Sequence, residues 1–495
     1  MKLSVIPIRH VFCVLLAMGP RLVWFAVMAI LLPVLFPEPS EAIPAFARKY
    51  DLSCTSCHTK PPRLNAFGEA FHMAAFQIPT TVEGEIRKKR KIGRIFSETD
   101  FLNSFSARVI GNFVEDLNGG DQSETNITLP HQLELYLAGT LTDSISYFFE
   151  LESETREVEG EKGDLFAEKS RFDLGREFFL MFNLGPFVKD LTSPMSGVHD
   201  SVPHGEVHGM GLMVHGPMIM IGKIDPSTNF SYPTNRQYVL NLPGRVDGNS
   251  GEIKRFSLAP YAFASKFFGM KTGRGDSVEV TREVLYNTSG DIGVDVHLMV
   301  GEFMFQAGFL QGLNSGTADV NQKKDPYFMT RMNFGGEKHI SGSLSGLVYW
   351  GNDTGKISRT DGSPDTALID WLRYGFAGNL KYRLLDFYGA VIWDQIRSIP
   401  SEARATFDDE AFGFTVEGDY LMSDQLLLSA RYDQLNAGGF NSQKANAKAL
   451  TFQARYYLRD NFALYLRDSY NIKKSDQNPL QNFGNLVALG VDFDF

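Results

Sequence analysis

The chain has 495 residues and a formal net charge of -10 at pH 7, with 43% hydrophobic residues and many phenylalanines (40), tyrosines (18) and glycines (46). An acidic balance of this kind excludes a general nucleic-acid binder, which needs a broad cationic surface, and no phosphate-cradling glycine fingerprint stands out. The length exceeds that of one small domain, and the aromatic and glycine content favours strands and tight corners.

Residues 1–42 read as a targeting segment. Lys2, Arg9 and Arg21 supply positive charge, Leu22 to Phe36 form an apolar run broken only by Pro33, and Ser40-Glu41-Ala42 offers a small-x-small cleavage site before Ile43. Gly19-Pro20-Arg21 interrupts the segment, and a start at Met18 would leave a conventional leader of about 25 residues. The competing reading is an uncleaved anchor, but the run after Arg21 is short against the roughly 20 residues a spanning helix needs. Export is the expectation.

Next comes Cys54-Thr55-Ser56-Cys57-His58. With Cys13 in the leader, Cys54 and Cys57 are the only thiols of the mature chain. Two cysteines three apart, followed at once by histidine, point to covalent attachment of one c-type haem, with His58 as proximal iron ligand. A redox disulfide would call for a βαβ unit, and none is visible. A zinc site would call for two more ligands, and only His58 and His72 are near.

Pro61-Pro62 should turn the chain. Leu64, Phe67, Phe71 and Ala75 then fall on one face of a helix that Pro79 ends. Such a stripe is either plain core or the face that packs a haem. His72 and Met73 are both candidates for the distal iron position; they face different ways on the helix, and a barrel residue or an open position would be the remaining options. A segment of this size cannot bury a haem alone. The run Arg87-Lys88-Lys89-Arg90-Lys91, with Arg94, is either a solvated linker or a cationic collar for anionic headgroups or an acidic periplasmic partner.

From about Phe101 onward, period-two alternation recurs in segments of about ten residues. Leu133, Leu135 and Leu137 alternate with Gln132, Glu134 and Tyr136; Ile145, Tyr147, Phe149 and Leu151 alternate with Ser146, Glu150 and Glu152. Residues 426–432, 451–456 and 463–467 repeat the pattern. Tight turns are predicted at Thr142-Asp143, Met422-Ser423-Asp424 and Arg459-Asp460-Asn461, and longer loops near 352–367, 395–410, 436–449 and 473–484. This predicts an all-β, transmembrane antiparallel β-barrel of about 16 strands, between 16 and 18, with a small N-terminal α-helical, cytochrome c-like haem plug. A soluble sandwich or propeller is the alternative, but no blade repeat occurs. Residues 186–276 are the hardest to thread. The final Val491-Asp492-Phe493-Asp494-Phe495 resembles the terminal recognition strand of bacterial outer-membrane proteins. A barrel of this size encloses an aqueous lumen, which provides the walls that the haem segment lacks.

Two clusters remain. Glu150, Glu152 and Glu154 should point into the lumen, with Glu157, Glu159 and Glu161 continuing into the loop; hard oxygen ligands could pass a divalent cation, although lumen faces are polar in any case. His199, His204, His208 and His215 are four of the chain's ten histidines. They read as hydrogen-bonded loop residues, or as a distal haem ligand, a metal contact or a pH-sensitive loop.

Pro44-Ala45-Phe46-Ala47-Arg48, Cys54-Thr55-Ser56-Cys57-His58 and Leu64-Asn65-Ala66-Phe67-Gly68-Glu69-Ala70-Phe71 resemble the fused monohaem cytochrome–porins of bacterial outer membranes, whose best-known members serve iron-oxidising bacteria. The resemblance implies a signal peptide at 1–42, a haem plug and linker at 43–95 and a porin-like barrel at 96–495. It further implies that Cys54 and Cys57 carry the haem, that His58 is its proximal ligand, and that electrons pass from extracellular Fe(II) to a periplasmic c-type cytochrome or other soluble carrier. An outward-running conduit, or a solute porin with a structural or sensing haem, are the other functions such a fusion would allow.

Overall fold

The computed structural model describes residues 46, 53–73 and 76, the strands and most short turns between 104 and 494, and 225–231, 238, 239, 242–246, 249–253, 270, 271 and 277–279 of the segment between the seventh and twelfth strands. Ile43–Phe495 form one compact unit, distinct from Met1–Ala42. The N-terminal part holds α1 (Cys54–Cys57), β1 (His58–Lys60), β2 (Arg63–Leu64) and α2 (Ala66–Met73). The wall starts with β3 (Phe105–Asp116), β4 (Thr125–Thr142), β5 (Ile145–Val158), β6 (Ala167–Asn183) and β7 (Met218–Ile224). An insertion follows, with α3 (Ser227–Phe230), β8 (Leu242–Val246), β9 (Asn249–Ile253), β10 (Met270–Lys271) and β11 (Ser277–Glu279).

The wall resumes with β12 (Asp291–Val300), β13 (Phe303–Leu310), β14 (Asp325–Gly335), β15 (Ile340–Ser358), β16 (Pro364–Tyr382) and β17 (Leu385–Ser398). It ends with β18 (Glu410–Leu421), β19 (Leu426–Ala437), β20 (Ala445–Arg459), β21 (Phe462–Asn471) and β22 (Leu486–Asp494).

Two pairings close the ring. The last strand lies antiparallel to the first wall strand, with Val491 opposite Gly111, and β7 lies against β12, with Met220 opposite Asp295. The result is a closed antiparallel barrel of 16 strands, within the range expected. The hairpin of β10 and β11 joins the sheet through β15 but takes no part in closure. Closure gives each of the 16 wall strands a neighbour on both sides, the condition for a sheet to stand in lipid.

Side-chain alternation explains which face is which. Along β13, Phe303, Phe305 and Phe309 are exposed on the outer face while Met304, Gln306 and Leu310 are buried. Leu344, Phe376, Phe387 and Phe452 continue this outward apolar band. The inward face is polar: Arg108, Glu134, Asp295, Arg373, Asp394, Glu417, Arg431 and Arg455 are all buried. Buried charge is tolerated because it is paired. Arg373 makes two bonds of 2.6 Å to Asp394, and Arg108 reaches Asp492 at 2.8 and 2.7 Å.

The expected turns at 142–145, 422–425 and 459–461 are short and lie at one end of the barrel, together with the hairpin of β16 and β17 around Arg383. The loops expected at 352–367 and 436–449 are shorter than the sequence suggested. Asn352 to Ser358 and Pro364 to Ala367 pair across β15 and β16, and β20 begins at Ala445.

The stretch that was hard to thread contains β7, which has only seven residues against the 17 of β6. The chain leaves the wall at Asp225-Pro226, and α3, Ser231, Tyr238 and Val239 bond to inward-facing wall residues. Ser345 donates to the Phe230 carbonyl at 2.6 Å, and Gln453 to that of Tyr238 at 2.7 Å.

Candidate functional site

The Cys54–Cys57 turn is built by its neighbours. Asn65 donates from Nδ2 to the carbonyls of Thr55 (3.1 Å) and Ser56 (3.0 Å), while its own backbone N–H bonds to the Cys57 carbonyl at 2.9 Å. Its Oδ1 also accepts from the Gly68 N–H at 2.9 Å, so one side chain caps α2 and staples the cysteine turn to it. The approach is so close that a Cβ on Gly68 would lie 2.1 Å from the Cys57 carbonyl oxygen; only glycine fits there.

Both thiols are free and partly buried. Burial, aided by Asp460 and Asp494, pushes the Cys54 thiol up; burial and the neighbouring Cys54 push Cys57 up to about 12. His58 completes the arrangement: its Nδ1 lies 3.2 Å from the Pro62 carbonyl oxygen. A carbonyl only accepts, so the proton sits on Nδ1 and the lone pair of the neutral ring on Nε2, the tautomer an iron ligand requires. The residues present therefore fit a c-type haem, which Cys54 and Cys57 would hold, with His58 available to its iron.

The segment is clamped to the barrel wall at the short-turn end. Lys60 bonds to Asp460 at 3.1 Å, Tyr457 donates to the Pro61 carbonyl at 2.6 Å, and Lys381 donates to the Leu64 carbonyl at 3.0 Å. Arg63, fully buried, reaches Asp386 (3.2 Å), Glu417 (2.8 Å) and Asp419 (3.4 Å), with its guanidinium 4.6 Å from the Tyr238 ring centre. Asp386 and Asp419 stand directly opposite each other across β17 and β18, a like-charge pairing that a cation between them makes tolerable. From α2, Glu69 meets Arg331 at 3.4 Å.

The apolar stripe of α2 takes the core role. Phe67 and Phe71, with Phe46 and Phe76, pack onto Phe148, Phe179, Met181, Met218, Met220 and Ile224 of β5, β6 and β7. Phe71 lies 5.2 Å from Phe46, and Phe76 stacks on Phe148 at 5.5 Å. His72 meets the edge of Phe76 at 5.3 Å and lines a recess with Glu177, Asp225, Asn229 and His297. Met73 ends the helix; its side chain lies outside the described residues.

Glu150 is buried on the inner wall, and Glu152 bonds to Gln132 at 2.5 Å beside Glu134. The side chains of Glu154 and Glu157, residues Glu159 and Glu161, the four histidines 199–215 and the basic run 87–94 lie outside the described residues. Sequence reasoning missed Arg63. Its only signal was a cation beside Pro61-Pro62 in a segment expected to lie inside a polar-walled barrel.

No protein-family model and no curated protein matches the chain. Among solved structures, the chain is similar to a loop-deleted OmpT of Vibrio cholerae, at 11% identity over 79% of this chain and 98% of that one, with a TM-score of 0.45. It is similar too to Salmonella typhi OmpF in complex with daunomycin, at 12% identity over 79% and 97%, with a TM-score of 0.42. An anion-selective porin of Comamonas acidovorans gives 12% identity over 79% and 98%, with a TM-score of 0.44. The barrel assignment rests on the closed strand order itself.

Proposed function

We propose that this chain is an outer-membrane electron-transfer cytochrome–porin, exported behind a cleaved signal peptide, which takes electrons from extracellular Fe(II) and delivers them to a periplasmic c-type cytochrome or similar soluble carrier. The observation that carries the reading is the cysteine turn, with His58 held in the ligating tautomer and the whole segment clamped in the barrel end that has short turns. Short turns face the periplasm in barrels of this class, and on this reading the turn sits at the periplasmic mouth. A haem bound there supplies a one-electron iron couple.

The chain's own residues do the rest. Cys54 and Cys57 fix the group, His58 with Pro62 orients the proximal bond, and Lys60, Arg63 and Tyr457 fix the segment against the wall. His72 and Met73 are the distal candidates on α2. Mixing purified protein with Fe(II) under anaerobic conditions tests the reading: growth of the reduced haem bands is expected, and no reduction overturns it. His58→Met should retain the covalent haem and shift its potential, because the proximal ligand sets that potential.

A second reading, a solute porin whose haem plug is structural or sensing, is supported by the charged inner wall that runs from Arg108 to Arg455. Solute flux through reconstituted vesicles, with a haem inert to Fe(II), would favour it. A very low potential would instead favour an outward-running conduit.

A further inference from the structure

The recess beside His72 has a lining that neither the fold nor the haem turn requires. Behind its His297 stands Asp295 on β12, 1% exposed. Oδ2 of Asp295 accepts from Tyr327 and from Gln306 Nε2, both at 2.9 Å, and Oδ1 lies 3.3 Å from His297 Nδ1. Nδ1 of His297 is therefore the donor, and the lone pair of the neutral ring is on Nε2.

The same network sets Asn229. The amide nitrogen of Gln306 is committed to Asp295 and, at 3.2 Å, to Tyr327, so its oxygen is what accepts from Asn229 Nδ2 at 3.1 Å. That fixes the Asn229 amide with Oδ1 turned away from Gln306. Asn229 is 6% exposed, yet among the described residues its Oδ1 has no hydrogen-bond partner. Leaving a buried carbonyl unsatisfied costs about 1–3 kcal/mol.

Asn229 shares the recess with His297, with the acidic residues Glu177 and Asp225, and with Met181 and Met220. A buried amide oxygen left unsatisfied beside an imidazole and two carboxylates is a setting that a cation would complete. Carboxylate and amide oxygen alone would suit magnesium or calcium; imidazole and thioether shift the preference to first-row transition metals.

We propose that this recess is an exchangeable binding site for a divalent first-row transition-metal ion, held by His297 and Asn229 with a neighbouring carboxylate. Among the described residues no three histidine, cysteine, aspartate or glutamate side chains converge as a closed metal site, so water completes the shell. An open shell of this kind suits an ion in passage better than a structural one. Asp295 acts as a positioning residue through the His297 tautomer. The site needs no haem. If Fe(II) is the electron donor, which rests on the function proposed above, the recess is where it would pause beside α2.

The test is equilibrium binding of Co(II), by visible absorption and dialysis, to the full-length Cys54→Ser/Cys57→Ser chain in detergent, so that neither haem nor thiols contribute. His297→Ala and Asn229→Ala are each expected to weaken binding at least tenfold, and Asp295→Asn about tenfold. Asn229→Asp, which adds charge without bulk, should tighten it. Heat-modifiability on gels verifies that each variant is a folded barrel; a variant that fails is replaced by His297→Gln or Asn229→Ser, with the same loss expected. Co(II) affinity unchanged in the alanine variants, no tightening in Asn229→Asp, or Mg(II) bound as tightly as Co(II) would overturn the proposal. Because the chain used is haem-free, these outcomes are separate from the fate of the electron-transfer reading.

Discussion

The N-terminal segment from Cys54 to Met73 is held on two sides of the lumen by opposite physics. Towards β17, β18 and β20 the contacts are charged: Arg63 among three carboxylates, Lys60 on Asp460, and Tyr457 on a backbone carbonyl. Towards β5, β6 and β7 they are apolar, with four phenylalanines of the segment packed on wall phenylalanine, methionine and isoleucine. Apolar packing is non-directional and tolerates sliding. Ion pairs with bonded partners are directional and fix register. On the function proposed above, the pairing of the two suits a segment that places one imidazole at a fixed point inside a wide barrel.

The sharpest way to break this contrast is Arg63→Ala. Removing one partner of a buried charge cluster typically costs 3–5 kcal/mol, because the carboxylates left behind are uncompensated. The plug should loosen, seen as faster proteolysis at the Pro61-Pro62 turn and new conductance in planar bilayers. Adding Glu417→Gln and Asp419→Asn to that variant should recover part of the loss. Conductance that stays silent in Arg63→Ala would show that the apolar side alone holds the plug.

Phe71→Ala tests the other side. Truncating a buried phenylalanine costs about 3 kcal/mol or more, and Phe71→Leu should cost much less. Unlike that of Arg63→Ala, the loss should not be recovered by adding Glu417→Gln and Asp419→Asn. Chemical unfolding of each variant, with and without that pair of substitutions, distinguishes the two.

The same contrast decides how much the sequence could reveal. Period-two patterns such as Leu133, Leu135 and Leu137 are local, and they gave the barrel and its inward face. The Cys54 to His58 spacing is equally local. Arg63 is not: its partner Asp386 is 323 positions away, and nothing near Arg63 announces it. The stripe of Phe67 and Phe71 was legible as an apolar face, but whether it covers a haem or the wall depends on β5 to β7. The recess of Asn229 and His297 was invisible for the same reason, since α3, β6 and β12 meet only after β7 leaves the wall at its seventh residue. Where the loop forecast failed, at 352–358, polarity was taken for irregular backbone although the strand pairs through it.

Gly68→Ala probes the joint between the two sides. The added methyl would meet the Cys57 carbonyl at 2.1 Å, so backbone must move. Overpacking of this sort costs about 1–3 kcal/mol. The cost should fall on haem attachment more than on barrel folding, read as a lower ratio of haem stain to folded barrel on gels. An unchanged ratio would mean that α2 and the cysteine turn can part without consequence.

The smallest effect expected is that of Lys60→Ala, and its size separates clamp from ornament. Lys60 is buried, but the Asp460 side chain it meets is 43% exposed, so solvent screens the pair. Exposed pairs of this kind contribute about 0.2–1 kcal/mol. The loss should fade as salt is raised, while that of Arg63→Ala persists, because its carboxylates are shielded from counterions. If Lys60→Ala proved as damaging as Arg63→Ala, the register of the plug would be set at the rim turn of Asp460 rather than inside the barrel. The place to look for plug movement would then shift from the acidic wall of β17 and β18 to the hairpin of β20 and β21.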